Sequence, residues 1–115
     1  MAILLASAVA LSLTTGLKSA EQVVGRFQNV GKGRIQFAAR GSAAATTGIR
    51  ATLNVGGVPL MDDQLVVFTG TTGALSIRDH MIIDQRVAGG WVSLTFRNDS
   101  GGTLTVDAQL LFTPE

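Results

Sequence analysis

The sequence predicts an all-β protein, an antiparallel sandwich or barrel of eight or nine strands, and three observations carry that prediction. Apolar and polar residues alternate with a period of two along most of the chain. Glycine-rich or Asn/Asp-rich breaks interrupt the alternation at short intervals, and no stretch shows an amphipathic helical period beyond a turn at Leu17 to Gln22. At 115 residues the chain fits a single domain, long enough to close one hydrophobic core without disulfide or metal staples.

The first segment, Ala2 to Leu13, is apolar and alanine-rich. It lacks the basic residues that open a secretory signal, and a dozen residues are too few for a membrane-spanning helix, which needs roughly 20. Val9, Leu11 and Leu13 alternate with the smaller Ala8, Ala10 and Ser12, as in a strand buried on both faces. Residues 1 to 16 therefore read as a first strand or a buried N-terminal arm.

Val23 to Val30 reads as the next strand, closed by a turn at Gly31 to Gly33. Arg34 to Arg40 then sets Ile35 and Phe37 against Arg34 and Gln36, and the small residues of Gly41 to Gly48 form a loop or bulged edge. From Ile49 to Val55, Ile49, Ala51, Leu53 and Val55 face one way and Arg50, Thr52 and Asn54 the other. Gly56-Gly57 ends this strand, and Pro59 forbids its continuation as a central one. Shorter strands are expected at Gln64 to Phe68, Ala74 to Ile77 and Met81 to Val87, the last closed by Gly89-Gly90. Two long alternating runs follow: Val92, Leu94 and Phe96 opposite Trp91, Ser93, Thr95 and Arg97, then Leu104, Val106, Ala108, Leu110 and Phe112 opposite their polar neighbours. The five turn residues Asn98 to Gly102 (NDSGG) join them as a hairpin.

Charged residues make up 15% of the chain, against roughly 25% in soluble domains, while 46% are hydrophobic. So sparse a charge implies that much of the outer surface is covered by other molecules. Nine basic and eight acidic residues are scattered singly, with no basic run to neutralise a row of phosphates, so direct nucleic-acid binding is disfavoured. The absence of cysteine removes disulfides, thiolate metal sites and thiol nucleophiles.

NDSGG invites two enzyme readings. A chymotrypsin-like Ser100 needs a histidine base and the paired barrels of that family; the single histidine, His80, and the chain length supply neither arrangement. A retroviral-type homodimeric aspartic protease would use Asp99 twice, sharing a proton in a buried floor, yet Asp99 sits between Asn98 and Gly101 in what reads as a solvated turn. Asp62, Asp63, Asp79, His80 and Asp84 are the acidic clusters, and their spacing matches no metal-binding loop. They read as loop carboxylates and salt-bridge partners, with His80 a strand-edge residue or an interface switch. Asn98-Asp99-Ser100 is formally a glycosylation sequon. No catalytic, cofactor or metal residue is assigned, and an enzyme is not expected.

From IRATLNVGGVPL at Ile49 to Leu60 through RDHMIIDQRVAGGWVSLTFRNDSGGTLTVDAQLLFTPE at Arg78 to Glu115, the order of strands and turns resembles the second half of single jelly-roll virion proteins. It resembles tumour-necrosis-factor-like trimeric heads more weakly. The resemblance implies a jelly-roll sandwich in a viral or bacteriophage capsid, as a vertex, minor, cementing or small coat subunit located in the virion. Its partners would be copies of itself and other capsid proteins. The alternative it implies is a trimeric receptor- or glycan-binding head. On this reading Ile35, Phe37, Ile49, Leu53, Val92, Leu94, Phe96, Val106 and Leu110 close the core. Leu4, Leu5, Val9, Leu11 and Leu13 of the arm, with Arg34, Arg50, Trp91, Arg97 and Asp107 on the outer faces, are expected to make subunit contacts.

Overall fold

The computed structural model describes residues 3–13, 19, 22–23, 29–41, 48–66, 68, 75, 78–99 and 104–115. Among these the chain forms eight strands: β1 (Ile3–Leu13), β2 (Asn29–Val30), β3 (Gly33–Gly41), β4 (Ile49–Val55), β5 (Val58–Leu65), β6 (Met81–Val87), β7 (Gly90–Asn98) and β8 (Leu104–Pro114). They build two four-stranded sheets, ordered β1-β8-β3-β6 and β2-β7-β4-β5, with every pairing antiparallel. The chain changes sheet at every connection except the β4–β5 hairpin. This is the strand order of a jelly roll.

The core lies where the two-residue period puts it. All nine residues expected to close the sandwich are at most 2% exposed, and Ala51, Val55, Ala108 and Phe112 extend the same inner faces. Each fully buried Leu, Ile, Val or Phe contributes about 1.5–3 kcal/mol. Phe37 of one sheet lies against Phe96 of the other, with ring centroids 6.3 Å apart, so the aromatic pair ties the layers at their centre.

The first dozen residues are an integral strand, not an arm. β1 pairs with β8 from Ile3↔Phe112 to Leu13↔Leu104 and forms one edge of its sheet. Nor is it buried on both faces: Leu4 and Ser7 are exposed while Leu5, Ala6 and Leu13 enter the core. Two register shifts, at Leu4/Ala6 and Ala8/Leu11, break its alternation, as bulges do on edge strands.

Other expectations change, the first being the hairpin at Asn98 to Gly102: β7 and β8 lie in different sheets and, among the described residues, do not pair. Among the described residues of Val23 to Val30, Asn29–Val30 is a strand and Val23 is buried; residues 24–28 lie outside the described set. The strand expected at Gln64 to Phe68 begins six residues earlier, at Val58, because β5 carries two register shifts that erase its period. One accompanies Asp63, the non-glycine residue with positive φ (50°) among those described. Pro59 is accommodated because β5 is an edge strand. Ala74 to Ile77 lies outside the described residues except for Leu75, which is not in a strand, and the loop at 42–47 also lies outside them.

The β2–β3, β4–β5 and β6–β7 turns converge at one end of the sandwich. Gly56 and Gly57 have φ of 60° and 83°, the two positive values of a two-residue type I′ hairpin. A Cβ on Gly56 would stand 2.5 Å from the Gly89 carbonyl oxygen, and one on Gly89 would stand 2.8 Å from the Val30 carbonyl oxygen. The three turns are thus in backbone contact, which only glycine permits.

Candidate functional site

That end of the sandwich also collects the exposed apolar side chains. Leu4, Val58 and Trp91 are the large hydrophobic residues left exposed among those described, at 51%, 58% and 56%. Val58 opens β5 after the Gly56-Gly57 turn, Trp91 follows Gly90 in β7, and Leu4 near the start of β1 pairs with Leu111 toward the end of β8. Strand directions bring all three to the turn end. Two clefts open there, one at each side of the sandwich where the sheets part. The first, about 260 Å³, lies between β5 and β6 and is lined by Val58, Leu60, Gln85 and Val87. The second, about 250 Å³, lies between β1 and β2 and is lined by Ile3, Leu5, Val30 and Phe112.

The opposite half carries charge on the outer face of the second sheet. Arg50 of β4 and Arg97 of β7 are direct cross-strand partners. Two like charges so placed repel unless bridged. Asp63 supplies one bridge, accepting Arg97 Nη2 at 2.7 Å and Nε at 3.1 Å in a bidentate fork, while its carbonyl accepts Arg50 Nη1 at 3.1 Å. The left-handed conformation of Asp63 is part of the bulge that turns the edge here. Asp99 supplies the second, accepting Arg50 Nε at 2.9 Å and Arg97 Nη1 at 3.5 Å. The Arg50 hydrogen bond, with the charges of both guanidiniums, holds the Asp99 carboxyl below its ordinary range, and the Asp63 bond raises Arg97.

Arg34, Asp107 and the arm residues fall differently. Arg34 is exposed and paired with Asp84 of β6. Asp107 stands opposite Arg40 in register and accepts its Nε at 3.3 Å. Arg40 is only 5% exposed, a buried guanidinium that requires such pairing. Leu5 and Leu13 are core residues, and Leu11 packs partly buried against the core, so these three serve the subunit's own interior rather than a neighbour. Leu4 remains on the surface, and the side chain of Val9 lies outside the described set.

Asn98 is the residue that sequence reasoning misplaced. It closes β7, is wholly buried, and donates its amide nitrogen to the Leu13 carbonyl of the facing sheet at 2.9 Å. A side chain so enclosed is inaccessible to glycosylation in the folded chain. Gly101 and Gly102 lie outside the described residues. His80 stands edge-on to Phe68, with centroids 5.6 Å apart. Among the described residues no three His, Asp or Glu side chains converge as a metal site, and no helix is long and apolar enough to cross a membrane. Comparison of the chain with family models, with curated proteins and with solved structures finds no match.

Proposed function

We propose that this chain is a structural virion protein, a capsid, vertex or cementing subunit that acts by self-assembly. The observation that carries the reading is a jelly roll whose exposed large apolar side chains, Leu4, Val58 and Trp91, gather at the rigid turn end. Side chains of this kind anchor interfaces when a partner removes them from water. The low overall charge supports the same reading, since a shell subunit buries much of its surface against neighbours. Its partners are copies of itself and other shell proteins, and its place is the virion. The mechanism is mechanical: a tied core and a glycine-locked end hold contact residues in fixed positions. Asp99 is partly exposed and salt-bridged to Arg50 and Arg97, whereas a protease dyad needs its carboxylates in a buried floor, which supports the structural reading.

Electron microscopy of the purified full-length chain tests this reading. Closed particles or uniform rings support it. Stable trimers that bind glycans support the head-domain alternative, and dimers that cleave peptides in acid support the protease.

A further inference from the structure

A sandwich of two four-stranded sheets has four edges, and three of them here are unsuited to pairing with another chain. β1 and β5 each carry two register shifts, and β2 is two residues long among the described residues. β6 differs. Its one register shift lies at its start, between Met81 and Ile83; from Ile83↔Phe37 to Val87↔Gly33 its pairing with β3 is unbroken, and Asp84, Gln85 and Arg86 at its centre are exposed. Among the described residues no backbone group pairs with its outer edge. A straight, open edge is a template for strand addition.

We propose that β6 is a homotypic docking edge, pairing antiparallel with β6 of a second copy about a two-fold axis through Gln85. Within the chain Asp84 is salt-bridged to Arg34 and Arg86 to Glu115, all four partly or fully exposed, and across the edge the charge sequence selects the occupant and the register. Centred on Gln85, the pairing sets Asp84 opposite Arg86 of the second copy and Arg86 opposite its Asp84, with Ile83 against Val87 on the inner face. Centring on Asp84 or Arg86 sets like charges against each other, and a shift by one residue turns inner side chains to the outer face. The edge is self-complementary, as a two-fold contact requires. It fuses two four-stranded sheets into one of eight. The adjoining cleft lined by Val58, Leu60 and Val87 lies at the same edge, so the second copy covers an exposed apolar residue that β5 cannot cover alone. The proposal deepens the shell reading, on which its role in an assembly rests, by naming one contact.

The test is sedimentation equilibrium of the full chain and of three variants, with far-UV circular dichroism to confirm folding. The wild type dimerises reversibly. Asp84→Arg and Arg86→Asp, each folded, weaken dimerisation by about tenfold or more, since each reverses two symmetry-related pairs. An equimolar mixture of the two, and the double swap Asp84→Arg/Arg86→Asp, recover it to within about threefold, because opposite charges again meet across the edge. A monomeric wild type, unaffected single variants or a mixture that stays monomeric overturns the proposal. If the wild type builds closed particles and the charge variants do so equally well, the edge proposal fails and the shell reading survives. If dimers follow the charge rule but nothing larger forms, the edge survives and the shell reading fails.

Discussion

At the scale of single residues, polar groups fix how the two sheets sit on each other. The buried Asn98 amide reaches from the end of β7 to the Leu13 carbonyl at the end of β1, so one hydrogen bond ties the layers where the strands finish. Asn98→Ala removes the donor and leaves a carbonyl without that partner, and should cost about 1–3 kcal/mol in urea unfolding. Asn98 was not legible because NDSGG has the composition of a turn; only the parity of Val92, Leu94 and Phe96, continued one step further, places it inward. Asp99 is the charged counterpart. Its folded carboxyl titrates below the ordinary Asp range, so its contribution is complete above about pH 4 and is lost as pH falls through the lower folded value. Thermal melts between pH 2 and pH 6 should show this acid loss in the wild type and a shallower one in Asp99→Asn. Equal slopes would mean that the bridge to Arg50 and Arg97 does not stabilise the fold. The pairing itself was hidden, since Arg50 and Asp99 are far apart in sequence and meet only through the β4–β7 register.

Among the elements, those that alternate cleanly were readable and those that do not were misjudged. β4 matches its expected limits because nothing interrupts the period of two. β1 is a first strand, as expected, but its faces were misread, and β5 was misplaced, because bulges shift the inward face partway along. The correction to β1 changes what a truncation does. Removing residues 1–13 deletes Leu5 and Leu13 from the core and strips β8 of one neighbour. At about 2–5 kcal/mol for each buried leucine, the loss rivals the 5–15 kcal/mol of a whole domain. The truncated chain should therefore be unfolded by circular dichroism, not merely unable to assemble. The turns offer a sharper contrast. Gly56→Ala meets the Gly89 carbonyl in a left-handed backbone and should cost more than about 1 kcal/mol, whereas Gly31→Ala enters open space and should be nearly neutral by chemical denaturation.

For the whole molecule, the jelly-roll order was legible only as a likeness of pattern, because alternation identifies strands and says nothing of which strands become neighbours. Pairing joins β1 to β8 and β3 to both β8 and β6, contacts far apart along the chain. The gathering of Leu4, Val58 and Trp91 at one end was equally invisible, since they belong to three strands in two sheets; only Leu4 and Trp91 stood among the expected contacts. The central claim is that this surface is completed by further copies. Light scattering across a concentration series of the full chain tests it most directly. The mass should rise well above that of one 11.9 kDa chain and reach a defined plateau. A mass that stays at one chain at the highest concentration contradicts the claim.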